Sequence, residues 1–166
     1  MSTMNIEQSA SLECEISSYS LYSSIFSPNR IIVGEVRGAE AIDMLQALNT
    51  GHDGSLSTGH ANSPKDMLSR LESMVLMGMD LPLGAVQSQI ASGIDIIVHL
   101  GRLRDKSRKV LEVSEILDYQ DGEILVSPLY RFEETGEKDG KIQGTWRKMD
   151  DLVHTQKLLA AGYKEV

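Results

Sequence analysis

The sequence predicts an α/β fold that passes into an antiparallel β appendix and closes with a short C-terminal helix. Three observations carry this prediction. An apolar run, Ile31-Ile32-Val33, ends in Gly34 and Glu35 just before a segment of helical period. Residues 63–93 then read as two amphipathic helices. Beyond about residue 100, β-type runs alternate with tight-turn residues.

Taken in order, the first strand is expected over about Arg30 to Val36. It is followed by a helix over about Ala39 to Leu48, in which Ile42, Leu45 and Leu48 recur every three residues, ending near Asn49-Thr50-Gly51. A short strand from Ser55 to Gly59 delivers His60 to the same sheet edge as Glu35. Ser63 is placed to cap the next helix, with Pro64 at its first position and Asp66 three residues after the cap. That helix carries Met67, Leu68, Leu71, Met74 and Val75 on one face. A further helix starts near Pro82, carries Val86 and Ile90, and stops at Gly93. Ile94 to Leu100 alternates in part, with Ile94, Ile96, Val98 and Leu100 on one face and Asp95 and His99 on the other. VLEVSEILDY, GEILVSPLYRFE and KIQGTW read as strands joined by tight turns, Asp121-Gly122 being a hairpin dipeptide. Asp150 to Ala161 is the expected closing helix, before Gly162. Residues 1–27 differ in character. Ser17, Ser18, Ser20, Ser23 and Ser24 cluster around Tyr19, Leu21 and Tyr22, and this segment is expected to be divergent or disordered.

The 166 residues suffice for one domain with a sizeable core. Twenty-four acids against sixteen bases give a net charge of −8, which argues against nucleic acid or anionic membrane as a non-specific partner. No apolar run approaches the roughly 20 residues that span a bilayer. The start MSTMNIEQSA lacks the basic and apolar regions of a secretory signal. Cys14 is the lone cysteine, so no internal disulfide can form. A reduced, cytoplasmic protein is the expectation.

The chemistry concentrates between residues 30 and 64. Ligands of open α/β sheets sit beyond the carboxyl ends of strands, where Glu35 falls. Its carboxylate either marks where a strand leaves the core or orients Mg²⁺ and an attacking water. Arg37 is either a bidentate phosphate ligand or a structural partner of Glu35 or Glu40. His60 lies between a strand and a capped helix N-terminus, where backbone amides favour anions and an imidazole could sense a terminal phosphate. A metal site from His52, His60 and Asp53 fits no common zinc spacing. The methionines Met67, Met74, Met77 and Met79 read as core or subunit packing. The basic run GRLRDKSRK reads as a solvated hairpin turn, its alternative being a contact with an acidic neighbour. His99 reads as a core histidine, and Trp146 belongs to no motif. No G-x-x-x-x-G-K-[ST] and no G-x-S-x-G occurs. The residues thus supply one side of a site.

The segment RIIVGEVRGAEAIDMLQALNTGHDGSLSTGHANSPKDMLSRLESMVLMGMDLP resembles the CpaF/TadA branch of the type II/IV secretion ATPases, the hexameric motors of tight-adherence pilus assembly. The similarity continues through QIASGIDIIVHLGRLRDKSRKVLEVSEI and YRFEETGEKDGKIQG. The resemblance implies a partial RecA-like P-loop NTPase motor domain over residues 28–166. RIIVGEVRG would be its Walker B segment and GSLSTGHANS its histidine box. It implies that Glu35 is the catalytic acid, acting on Mg²⁺ through water, and that His60 is the histidine near the γ-phosphate of ATP. Nucleotide-binding roles for Arg37 and His52 follow by the same resemblance. The partners implied are further copies in a homo-hexamer and the inner-membrane secretion platform, which would hold the protein at the cytoplasmic face without spanning the membrane. Family members carry a Walker A loop upstream of Walker B, and these 166 residues contain none. The expectation is therefore a C-terminal motor fragment with little hydrolysis of its own and an exposed sheet edge. The alternative is a non-catalytic module that associates with a full-length motor or membrane platform. A third option is a degenerate product that does not fold.

Overall fold

A computed structural model of the chain describes residues 30–52 and 54–163. The expectations for residues 1–27 and for Asp53 lie outside the described residues. Among these, β1 (Ile32–Val33) leads to α1 (Ala41–Leu48), β2 (Leu56–Ser57), α2 (Pro64–Gly78) and α3 (Leu83–Gly93). Four long strands follow, β3 (Ile96–Arg102), β4 (Arg108–Gln120), β5 (Glu123–Lys138) and β6 (Lys141–Lys148), and then α4 (Gln156–Ala160).

β1 and β2 pair in parallel, Ile32 opposite Leu56 and Val33 opposite Ser57. Both strands are shorter than the expected Arg30–Val36 and Ser55–Gly59. The ladder is extended by single bonds: Leu56 N–H donates to the Ile31 carbonyl (3.0 Å) and Val36 N–H to the Thr58 carbonyl (3.1 Å). Beneath them, α1, α2 and α3 bury Leu45, Leu68, Leu71, Met74, Val75, Val86 and Ile90 in one cluster with Val36 and Ile116. The α2 start is as expected. Ser63 Oγ accepts the Asp66 N–H at 3.1 Å, with Pro64 at the first position. The methionine stripe divides, because Met74 is core and Met67 half-buried, while Met77 and Met79 are exposed beyond the contact face.

The second sheet is an antiparallel meander ordered β3-β4-β5-β6. β3 belongs to it, so the antiparallel part begins earlier than the division near residue 100. Asp121 and Gly122 both take positive φ, as a two-residue hairpin turn requires, and Asp139-Gly140 repeats the device between β5 and β6. The basic run makes the β3–β4 turn. Arg104 there pairs with Glu134 and with Glu137 (3.4 Å), so the acidic neighbour lies within the chain. Asp105 holds the turn through Ser107 and the Ile142 N–H, and these bonds lower its carboxyl to about 2.

Two expectations are corrected. The apolar face Ile96, Val98 and Leu100 is exposed, and the half-buried side of β3 carries Ile97 and His99 instead. His99 is only half-buried. The closing helix spans Gln156–Ala160 rather than Asp150–Ala161. The reason is a carboxylate from another strand. Glu115, buried on β4, accepts the backbone N–H groups of Val153 (2.9 Å) and His154 (2.7 Å), while Asp150 accepts from Ser127 Oγ (2.9 Å). These bonds tie residues 150–154 to β4 and β5 in a non-helical course.

Candidate functional site

The parallel pair brings Glu35 and His60 together. Glu35 follows β1, His60 follows β2, and the Thr58 hydroxyl donates to the Gly34 carbonyl between them. His60 Nε2 lies 2.9 Å from Glu35 Oε1, and Arg37 Nη2 lies 2.6 Å from Glu35 Oε2. Both carboxylate oxygens are thus engaged, one by an imidazole and one by a guanidinium. The Glu35 side chain is 23% exposed, whereas that of His60 is 81% exposed, so the imidazole faces solvent while the acid sits at the base of the cluster.

The hydrogen bond from Arg37 holds the Glu35 carboxyl below the ordinary glutamate value. Partial burial opposes it, and the charges of Arg37, His60 and Arg70 on α2 act in the same direction as the bond. The acid therefore stays ionised, as a group that orients water or accepts a proton must. Gly34 faces open space, with nothing within 4 Å of a Cβ placed there, so no close approach within the chain explains it.

Glu40 is a residue that the sequence reading raised only as an Arg37 partner. Its Oε1 accepts the backbone N–H groups of Arg37 (2.7 Å) and Gly38 (3.0 Å). Burial pushes the Glu40 carboxyl up, but the backbone donors of Arg37, Glu40 and Gly38 outweigh it and hold the group ionised. The turn between Glu35 and α1 is fixed in this way. A Glu two residues after Arg-Gly at a helix start was the available signal. His52 Nδ1 lies 3.0 Å from the Ala47 carbonyl at the end of α1. Among the described residues, no group of three or more His, Cys, Asp or Glu side chains could hold a metal ion.

The structure thus defines a mixed α/β domain with an acid–imidazole–guanidinium contact at the ends of two parallel strands. A profile described as "Type II/IV secretion system protein" matches residues 26–149, and the chain belongs to that family. It is 41% identical over 97 residues to a putative conjugal transfer protein of Mycobacterium tuberculosis, covering 58% of this chain and 27% of that protein. It is 39% identical over 94 residues to the conjugal transfer protein TrbB of Rhizobium radiobacter, covering 57% and 28%. Among solved structures it matches the VirB11 ATPase of the Brucella suis type IV secretion system, crystallised with sulphate. That match has a TM-score of 0.54 and 31% identity, over 58% of this chain and 30% of the other. The chain spans under a third of the length of these relatives. No helix among the described residues is long and apolar enough to cross a membrane.

Proposed function

We propose that this chain is the acid-and-histidine portion of a secretion or pilus-assembly ATPase of the CpaF/TadA branch. The observation that supports it most directly is the shared carboxylate of Glu35, bonded to His60 on one oxygen and Arg37 on the other. Glu35 is the catalytic acid and His60 the histidine that meets the terminal phosphate of ATP. The Glu35–His60 bond needs the proton on Nε2, which makes that nitrogen a donor. Arg37 keeps Glu35 ionised and belongs with His52 to the nucleotide-binding set.

A lone carboxylate with both oxygens already bonded does not build a protein cage for a cation. It suits Mg²⁺ held through water, since that ion keeps several waters and takes its other ligands from phosphates. When bound, Mg²⁺ supplies neutralisation of phosphate charge. Phosphate itself is cradled by backbone and lysine in P-loop enzymes, and these 166 residues contain no such motif. The whole machine is a homo-hexamer at the cytoplasmic face of the inner membrane, engaged with its secretion platform.

Phosphate-release assays on the 166-residue chain test this reading. Hydrolysis near background is expected, with or without Mg²⁺. A full-length motor in which its own segment is replaced by residues 28–149 should hydrolyse ATP, and Glu35→Gln should abolish that activity, whereas His60→Ala should lower it by about 10²-fold or more. Activity that survives Glu35→Gln would overturn the assignment. A second reading, association with a full-length motor without hydrolysis, is favoured by one observation. Ile32 and Leu56 on the parallel pair are 72% and 63% exposed, although parallel strands are ordinarily covered on both faces.

A further inference from the structure

One face of the meander carries an apolar surface that the nucleotide reading does not use. Alternation and register place Val98 and Leu100 of β3, Val113 of β4, Tyr130 and Phe132 of β5 and Trp146 of β6 on a common side. Leu100 is 65% and Trp146 51% exposed. Trp146 is held in place rather than loose. Its Nε1 donates to the Val110 carbonyl at 2.9 Å, and its ring meets Phe132 edge-on with centroids 5.8 Å apart. The C-terminal segment covers only the far end of this face, through Glu115 and Ser127.

The charges beside it are unusual. Arg102 and Arg108 are direct cross-strand partners on the same face as Leu100. Like charges opposite one another destabilise a sheet. Neither arginine makes an ion pair with a described residue, whereas Arg104 between them in sequence is paired with Glu134 and Glu137. Arg102 alone would guard the edge strand against pairing. Arg108 lies one strand inward and adds repulsion without adding protection. Among the described residues, β3 has a strand on one side only.

We propose that this face docks an extended segment of a partner protein laid along β3, in which the alternate residues that face the sheet are apolar over Val98 and Leu100 and acidic over Arg102 and Arg108. The apolar residues of such a segment would cover Val98, Leu100 and the Trp146 ring, and its backbone could add to the β3 edge. An anionic lipid surface fits less well, because the chain carries a net charge of −8 and a bilayer makes no use of a free strand edge. The proposal is independent of the role assigned to Glu35.

Trp146 is the single tryptophan, so its emission reports the face directly. The full 166-residue chain would be titrated with a blocked, soluble peptide in which every second residue is Ser and the residues between them run Val-Val-Glu-Glu. A saturable blue shift is expected, weakening as salt rises. Arg102→Glu with Arg108→Glu should raise the apparent Kd roughly tenfold or more, and Leu100→Ser should also weaken binding. Lys109→Glu changes a neighbouring charge on the opposite face and should leave binding unaltered. Far-UV circular dichroism on each variant separates lost binding from lost folding. The proposal fails if no shift occurs, if the same peptide with Lys in place of Glu shifts Trp146 equally, or if the double arginine variant binds as before. It fails also if only phosphatidylglycerol vesicles shift the emission, or if the free chain shifts on concentration as it forms a dimer.

Discussion

The parallel pair and the meander stand side by side in one small domain and are held together in opposite ways. β1 and β2 are two residues each, whereas β5 alone runs for 16 residues. The meander is locked by its own ladder and two Asp-Gly turns. The pair that carries Glu35 and His60 has almost no ladder, and depends on helices packed beneath it and on single bonds such as Val36 N–H to Thr58 O. The residues with candidate chemistry thus sit on the element with the least structure of its own. Their geometry is inherited from the α1–α3 core.

The largest effect expected from this contrast is on stability. Ile90→Ala and Leu45→Ala each open a cavity in a fully buried position and should cost about 2–5 kcal/mol. Leu100→Ala on the exposed meander face should change stability by no more than about 0.5 kcal/mol. Urea unfolding would show this as a marked fall in midpoint for the first two alone. Comparable shifts from all three would mean that the meander face is buried and that the contrast is mistaken.

A smaller effect should be confined to the meander. Glu115 is buried and spends its carboxylate on two backbone N–H groups, with His154 Nδ1 3.2 Å away. Glu115→Ala removes those acceptors and should cost about 1–3 kcal/mol. Hydrogen exchange should speed up across residues 150–160 and stay unchanged in β1 and β2. Faster exchange at Val36 or Leu56 would show that the two regions are coupled.

How far the sequence could be read follows the same division. Ser63, Pro64 and Asp66 announced α2 because capping is local chemistry, and the meeting of Glu35 with His60 was legible because each lies two or three residues beyond the end of a strand. Asp121-Gly122 was legible between two apolar runs. Asp139-Gly140 makes the same turn but lies in EETGEKDGKIQG, where the strands are mostly exposed and no apolar alternation marks them. Residues 150–155 read as helix because their pattern is helical. What holds them out of a helix is Glu115, nearly 40 residues earlier, and no local pattern records that. His99 read as a core histidine because it stands on a largely apolar strand, and it is only half-buried. Alternation reveals that two faces differ, but not which one the helices will cover.

The smallest effect expected is electrostatic and lies at the site itself. Arg37 is the main cause of the lowered Glu35 carboxyl, so Arg37→Ala should move that group back up toward the ordinary glutamate value. Lowering a folded-state pKa adds stability that is present above the unfolded value and is lost as pH falls through the folded one. The wild-type chain should therefore exceed Arg37→Ala in stability above the ordinary glutamate value, neutrality included, and the two should converge as pH falls through the lowered folded-state value. Because the pair is largely exposed, the stability difference itself should be small. The sensitive measurement is a carboxyl-carbon NMR titration of Glu35, read together with the His60 ring. A Glu35 midpoint unchanged in Arg37→Ala would leave His60 and Arg70 as the groups that keep the acid ionised and would overturn the assignment of the lowered value to the guanidinium.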